Sequence, residues 1–483
     1  MFLLESQKNS EVSRFYDYEF FSNFVNLLKH VFVSFQNIEN QMKVQITNKE
    51  IWKIAIPIML GNLAQTIINF TDTAFLGHLG VIELGASMLA GLFYFVFTTI
   101  ATGFAIGIQI IIARRFGEGN KERVGVIFEH GAFFVLILGT ILFSILYFFS
   151  ESLLSWLIDS PNIYASALDY IKYRQFGIIF VCFNFLFRGL YVGISNTKAI
   201  TYSTIIMAIV NIFLDYCLIF GNWGFPEMGI GGAALASFCA EVSAFIFFGI
   251  YSYITLRSKD FGMFKVHKLE SELMKRILKI ATPTMIQKLF SFGVWFVFFI
   301  LIEKMGETAT GISSIVRSVY MILITPCFAF ATTTNTLVSR TIGAGHPEQV
   351  FDTITKIMKN CIVCTIPIIL VIMIFPIQVA SIYTDDINFA QMVVPSIYVI
   401  CLGTILQGVG NGYFEAVSGT GNTSAALYLE AAILVVYVIY IAIMTNITDN
   451  VQWVWTAEIL YGGLLGAICY LYMKFANWNK KKI

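Results

Sequence analysis

The stretch IWKIAIPIMLGNLAQTIINFTDTAFLGHLG, residues 51–80, decides how this chain is read. Between Lys53 and His78 it holds one formal charge, Asp72, and it exceeds the roughly 20 predominantly apolar residues that cross a bilayer as a helix. The pattern then repeats. Apolar segments separated by short polar loops follow at 84–112, 124–149, 163–190, 197–220 and 229–256. After a longer charged stretch come 277–302, 310–338, 352–377, 388–414, 423–445 and 451–475. With residues 51–78 that makes twelve spans. Backbone polar groups in hydrocarbon must be satisfied internally, so only helices or closed barrels span a membrane. A barrel needs short segments of alternating polarity, and these runs do not alternate. The fold class expected is therefore an all-α membrane protein with twelve transmembrane helices.

Composition supports this. Of 483 residues, 57% are hydrophobic and 13% charged, against about a quarter charged in soluble domains. A net charge of +1 gives no reason to expect a nucleic-acid partner. The cysteines sit almost entirely in apolar runs and read as small core hydrophobes. Cys361 and Cys364 have C-x-x-C spacing, but at the start of an apolar helix. His30, His78, His130, His267 and His346 are scattered without ligand spacing. No P-loop motif and no cluster of nucleophile, metal ligands or paired histidines appears, so neither an enzyme nor a cofactor is expected. Residues 1–42 are an N-terminal extension. Within it Phe15–Ile38 reads as a surface amphipathic helix or as dispensable, with Met42 resembling a second start.

The loops orient the spans. Those after even-numbered spans carry Arg114, Arg115, Lys121, Arg123, Lys198, Arg257, Lys259, Lys265, Lys268 and Arg340, and the tail adds Lys474, Lys480, Lys481 and Lys482. Those after odd-numbered spans carry Glu151, Asp159, Glu227, Glu303, Glu307, Asp385 and Asp386. Basic loops mark the cytoplasmic side, which predicts an inner or plasma membrane protein with both termini inside.

The chain also repeats itself. At an offset of 226 residues, Lys53-Ile54-Ala55-Ile56-Pro57 falls on Lys279-Ile280-Ala281-Thr282-Pro283, and Gly80 on Gly306. Arg114, Gly117 and Gly119 fall on Arg340, Gly343 and Gly345; Gly193, Asn196 and Thr197 fall on Gly419, Asn422 and Thr423. Six helices per repeat, an even number, start both halves from the same side. The halves are then parallel repeats about an axis along the membrane normal, a transporter arrangement. This divides the chain into an N-lobe at 43–256, a cytoplasmic linker at 257–276 and a C-lobe at 277–483.

The run P-I-M-L-G-N-L-A-Q from Pro57, N-F-T-D-T-A-F-L-G ending at Gly77, R-R-F-G-E-G-N at 114–120 and G-I-S-N-T-K at 193–198 resemble the multidrug and toxic compound extrusion (MATE) transporters. The resemblance covers about residues 43–475. It implies a V-shaped pair of lobes, without cofactor, that exports small-molecule drugs and organic cations from the bilayer-embedded protein in exchange for H+ or Na+. A monomer is expected. The alternative is a lipid-linked oligosaccharide flippase of the same superfamily, whose cavity is lined with cations; apart from Lys288 the mid-spans are expected to offer almost none.

The expected coupling residues are few. An isolated charged carboxylate in an apolar span costs several kcal/mol, so Asp72 must be protonated, paired or cation-bound. Asn211 and Asp215 lie four apart and share a helix face. They match the family's N-lobe N-x-x-x-D cation pattern, as Asp72 matches its first-helix aspartate. Ser237 stands where the family often has a site threonine. Pro57 should kink its helix; it precedes Asp72 by 15 residues, the spacing of the family's proposed hinge. In the C-half, Ser291 and Gln407 stand where sodium-coupled relatives carry acids, which leaves a C-lobe sodium site in doubt. Glu241, Glu415, Glu430 and Glu458 are the other acids in spans. Glu430 is the best C-half candidate, and Glu415 is expected near the cytoplasmic edge. Lys288 either snorkels to that interface or pairs with an acid. Asp72 falls on Phe298 in the repeat, so the coupling charge belongs to one lobe.

Overall fold

The computed structural model describes residues 46–256, 261–265, 267–384 and 386–478. The expected extension at 1–42, its Phe15–Ile38 helix, Arg257, Lys259, Asp385 and the lysines at 480–482 lie outside these residues. Twelve helices are long and apolar enough to cross a membrane, and the described residues contain no strand. They are α1 Asn48–Leu79, α2 Ile82–Gly117, α3 Lys121–Leu157, α4 Pro161–Gly193, α5 Lys198–Phe220 and α6 Gly229–Leu256. The second six are α7 Ser271–Glu303, α8 Glu307–Gly343, α9 Pro347–Ile374, α10 Ile387–Gly419, α11 Thr423–Ile447 and α12 Val451–Phe475. α7 already begins inside the stretch expected to be linker.

Local chemistry explains the boundaries. Thr47 caps α1 by accepting a hydrogen bond from the Glu50 amide, and Asn120 caps α3 through the Arg123 amide. Gly119 and Gly345, repeat partners, hold φ of +75° and +83°, where a side chain is strained. They turn the chain at equivalent loops. Inside α1, Pro57 has no amide hydrogen to give the Lys53 carbonyl. The Thr197 hydroxyl donates to that carbonyl instead, at 3.2 Å, and Thr201 donates to the Pro57 carbonyl at 2.9 Å. The proline is thus stitched to α5 rather than left open.

Within each half the helices pack on one another: α1 on α5, α5 on α6 and α2 on α4 in the first, α8 and α12 on α10 and α7 on α11 in the second. The two six-helix lobes meet through α1, α2, α7 and α8. Their seam is nearly symmetric. A Cβ on Gly117 would lie 2.2 Å from the Arg340 carbonyl, and one on Gly343 would lie 2.2 Å from the Arg114 carbonyl. These are reciprocal contacts between repeat partners, the signature of a two-fold interface. On the same axis the Gln109 side chain donates to its own repeat partner, Asn335, at 3.1 Å. Ser339 donates to the Ile110 carbonyl, Thr284 to the Gly103 carbonyl, and Arg340 pairs with Glu50 at 2.5 Å. All lie toward the end that carries the basic loops. Residues 261–265 and 267–270 join the same end, held to α3 by the Arg123–Glu270 ion pair and by Glu129 with His267.

Because these glycines touch backbone, an added methyl cannot be absorbed by rotating a side chain. Gly343→Ala should cost about 1–3 kcal/mol by overpacking, whereas Gly463→Ala, with nothing within 4 Å, should stay within about 0.5 kcal/mol. Thermal unfolding in detergent checks this; equal melting temperatures would contradict a close-packed seam.

Candidate functional site

Two polar assemblies occupy the interior, one in each lobe. In the N-lobe, α1 and α5 bring Asp72, Asn211 and Asp215 within reach of one another. Asp215 is 0% exposed and Asn211 1%. Both Asp215 oxygens, both Asn211 amide atoms and Asp72 Oδ1 are buried with no hydrogen-bond partner from outside the trio. Buried polar atoms are nearly always paired, and unpaired ones ask for an explanation. The trio presents the oxygens that bind a proton or a small cation. Ser237, on α6, is half-buried and makes no hydrogen bond to the three among the described residues. The sequence reading missed the neighbour of this trio. Arg174 of α4 makes a buried ion pair with Glu241 of α6 and lies over the Tyr94 ring at 4.2 Å. The turn at Gln175–Gly177 admits that carboxylate: a Cβ on Gly177 would strike Glu241 Oε2. The available signal was Glu241, the one charge of the sixth span, and the base-rich stretch at Lys172 and Arg174 in the fourth.

The second assembly lines a cavity of about 570 Å³ between the lobes. The size suits a drug-like molecule, since such sites run about 300–1,000 Å³. Phe95, Phe185, Phe292, Trp295 and Phe328 make much of its wall, and Phe95 meets Phe292 across the lobes at 5.0 Å. Asn62, Gln109 and Arg188 face it from the N-lobe, and Lys288, Glu415, Glu430 and Glu458 from the C-lobe.

The C-lobe acids are well held. Glu458 accepts from Tyr437 at 2.7 Å, Tyr320 at 3.0 Å and Gln407 at 2.7 Å. Glu430 Oε1 accepts from Ser291 at 2.8 Å and Tyr461 at 2.9 Å, while its Oε2 is buried without a partner. Ser291 and Gln407 therefore serve as donors to carboxylates carried by α11 and α12. The acid functions sit on neighbouring helices instead of at those two positions. Glu415, expected near the cytoplasmic edge, faces the cavity and accepts from Asn335 at 2.8 Å. Lys288 does not snorkel; it also faces the cavity, within electrostatic reach of Glu415 and Glu430. The expectation that the mid-spans hold almost no other cation is likewise overturned. Arg174 and Arg188 share the fourth span with Asp169 and Lys172, and spacing alone does not say which of these charges turns inward.

The trio is absent from the cavity lining, yet both sites share α1, which turns Ile58 and Asn62 to the cavity and Asp72 to the trio. Glu458 tests how firmly the cavity wall is built: Tyr437→Phe should cost about 1–3 kcal/mol by removing one donor to a buried carboxyl. A thermal melt that does not move would mean Tyr320 and Gln407 suffice.

Comparison with known proteins agrees with this architecture. The MatE family model matches residues 57–217 and again 283–444, so the two matches begin one repeat apart. A probable multidrug resistance protein NorM from Thermotoga maritima is 29% identical over 397 residues, 80% of this chain and 83% of the relative. A crystal structure of a MATE protein in complex with MaL6 superposes with a TM-score of 0.81 at 21% identity, covering 88% of this chain and 95% of that one. An outward-facing multidrug resistance MATE transporter of the MOP superfamily gives 0.80 at 22% identity, covering 88% and 95%. With its matched repeats and twelve helices in two lobes, the chain belongs to the MATE (MatE) family of multi-pass membrane transporters and is not an enzyme.

Proposed function

We propose that the protein is a secondary multidrug efflux antiporter. It binds small amphipathic molecules in the central cavity and exports them by alternating access, driven by inward flow of H+ or Na+. The observation that carries the coupling half is the unpaired Asp72–Asn211–Asp215 set. A buried carboxylate pair without partners is unfavourable as two charges. It is stabilised once a proton or cation enters, so occupancy there changes the energy of α1. The same helix borders the cavity through Ile58 and Asn62. Ion and cargo then each disfavour the other's bound state, and such coupling is reciprocal. Ser237 is the weakest member of the proposed set. Glu415 and Glu430 are assigned to the cargo wall instead.

The basic loops mark the seam as cytoplasmic under the positive-inside rule, which supports an inner or plasma membrane location with the termini inside. In the state described, Gly117, Gly343 and the Glu50–Arg340 pair shut the cytoplasmic route. Alternating access requires that seam to part. Pro57, whose surroundings are tied to Thr197 and Thr201, is the point about which α1 would bend. We propose a monomer, because the cavity is complete within one chain. The relatives named as multidrug resistance proteins support drug cargo. The lipid-linked sugar flippase is disfavoured by the three carboxylates on the cavity wall, which would repel a pyrophosphate.

The test is dye efflux from proteoliposomes under a pure pH gradient and, separately, a pure sodium gradient. The gradient that drives transport identifies the ion. Asp72→Asn should reduce gradient-driven efflux by about tenfold or more while dye binding persists, because removing the charge uncouples the ion but leaves the cavity wall. Undiminished gradient-driven efflux in this variant would overturn the coupling assignment.

A further inference from the structure

The cysteines are free thiols, and two that are distant in sequence come together inside the C-lobe. Cys327 of α8 and Cys361 of α9 are 1% and 2% exposed. Their sulfurs lie 3.8 and 4.0 Å from one hydroxyl, Thr365 Oγ1. That hydroxyl donates to the Cys361 carbonyl at 2.8 Å, so toward the thiols it is an acceptor. A Cβ added to Gly408 of α10 would sit 3.1 Å from Cys327 Sγ and 3.3 Å from Cys361 Sγ. Both sulfurs therefore border the space that this glycine leaves open. The space is a gap of about 10 Å³, lined by the two cysteines together with Thr365, Thr404 and Gly408. It is about the size that one small atom needs.

The C-x-x-C spacing read in the sequence is not this pair. Cys364 is only part-buried and does not border the gap. Cys361 instead finds its neighbour on another helix. The N-lobe lacks the arrangement: Ala101, Val135 and Cys182 stand at the repeat positions of Cys327, Cys361 and Gly408.

A thiolate is a soft donor and selects soft cations. Structural zinc asks for four ligands, and among the described residues no group of three or more His, Cys, Asp or Glu could hold a metal ion. Two thiols suit a cation that is satisfied by two ligands in line, the d10 class of Cu(I), Ag(I) and Hg(II). Within that class a divalent ion gives a neutral product, and a net charge buried in apolar surroundings is costly. We propose that Cys327 and Cys361 bind one soft divalent cation, Hg(II), between them as a linear bis-thiolate, at a site separate from the central cavity and from the Asp72 set. Two sulfur–metal bonds form, two thiol protons leave to solvent, and no electron is transferred. Phe328, the next residue of α8, lines the cavity, so the bridge ties a stretch of the cargo wall to α9.

Mercury retention tests this. The full-length protein in nanodiscs is loaded with HgCl2, dialysed against glutathione and assayed for mercury per chain by mass spectrometry. A preformed pair holds the ion against free monothiols, because its second sulfur acts at a high effective concentration, whereas a single cysteine does not. Wild type should keep one ion per chain. Cys327→Ser and Cys361→Ser should each keep at least about tenfold less. Gly408→Ala, which retains both thiols but fills the gap, should lose the ion as well. Cys364→Ser and Cys401→Ser should keep it, and elution from a sizing column as for wild type reports that each variant is folded. A wild type that keeps no mercury overturns the proposal, as does undiminished retention in either Cys327→Ser or Cys361→Ser. Retention in Gly408→Ala overturns the position in the gap. Loss in Cys364→Ser with retention in Cys327→Ser assigns the ion to the C-x-x-C pair and overturns it too. The efflux reading stands or falls independently of these outcomes.

Discussion

Charge is expensive in hydrocarbon, and the whole molecule is arranged around that cost. It forces the backbone into helices, because a helix satisfies its own amides and carbonyls. It sends most lysines, arginines and acids to loops at the two ends. What cannot leave is turned inward: Arg174 to Glu241, Glu458 to two tyrosines and a glutamine, Glu430 to Ser291 and Tyr461. The Asp72–Asn211–Asp215 set finds no partner outside itself, and the proposed function gives it a proton or a cation as its complement.

The second organising feature is the seam between the repeats. Gly117 against the Arg340 carbonyl and Gly343 against the Arg114 carbonyl bring two backbones as close as the absence of a side chain permits. Gln109 meeting Asn335 places like positions of the two halves face to face. Such a joint is tight and carries its own hydrogen bonds, from Gln109, Thr284 and Ser339, while the Glu50–Arg340 pair at its edge is partly exposed, where ion pairs contribute little. It is the contact that the alternating access proposed above would require to part.

The two lobes share a frame and have divided the chemistry. Asp72 falls on the fully buried Phe298, which stacks among Tyr437 and Trp455 in the C-lobe. The N-lobe keeps its Asp72–Asn211–Asp215 set away from the cavity, and the C-lobe turns three carboxylates and Lys288 into it. α1 is the common member. Its proline, its cavity-facing Asn62 and its Asp72 lie on one helix, and the proposed coupling rests on that shared helix.

The sequence alone determined the spans, the repeat, the orientation expected from the loops, and Asp72 with the Asn211–Asp215 pair. These are legible because apolar runs, loop charges and a constant offset are one-dimensional facts, and because a helix places residues four apart on one face. It could not tell that Glu415 reaches the cavity, that Ser291 and Gln407 serve acids carried by other helices, or that Arg174 and Arg188 differ. Each of those is set by which residue of a distant helix stands opposite. The cost of a buried charge depends on that neighbour, so only the packing of α1 against α5, of α4 against α6, and of α7 and α12 against α11 decided which charges find a partner within the chain.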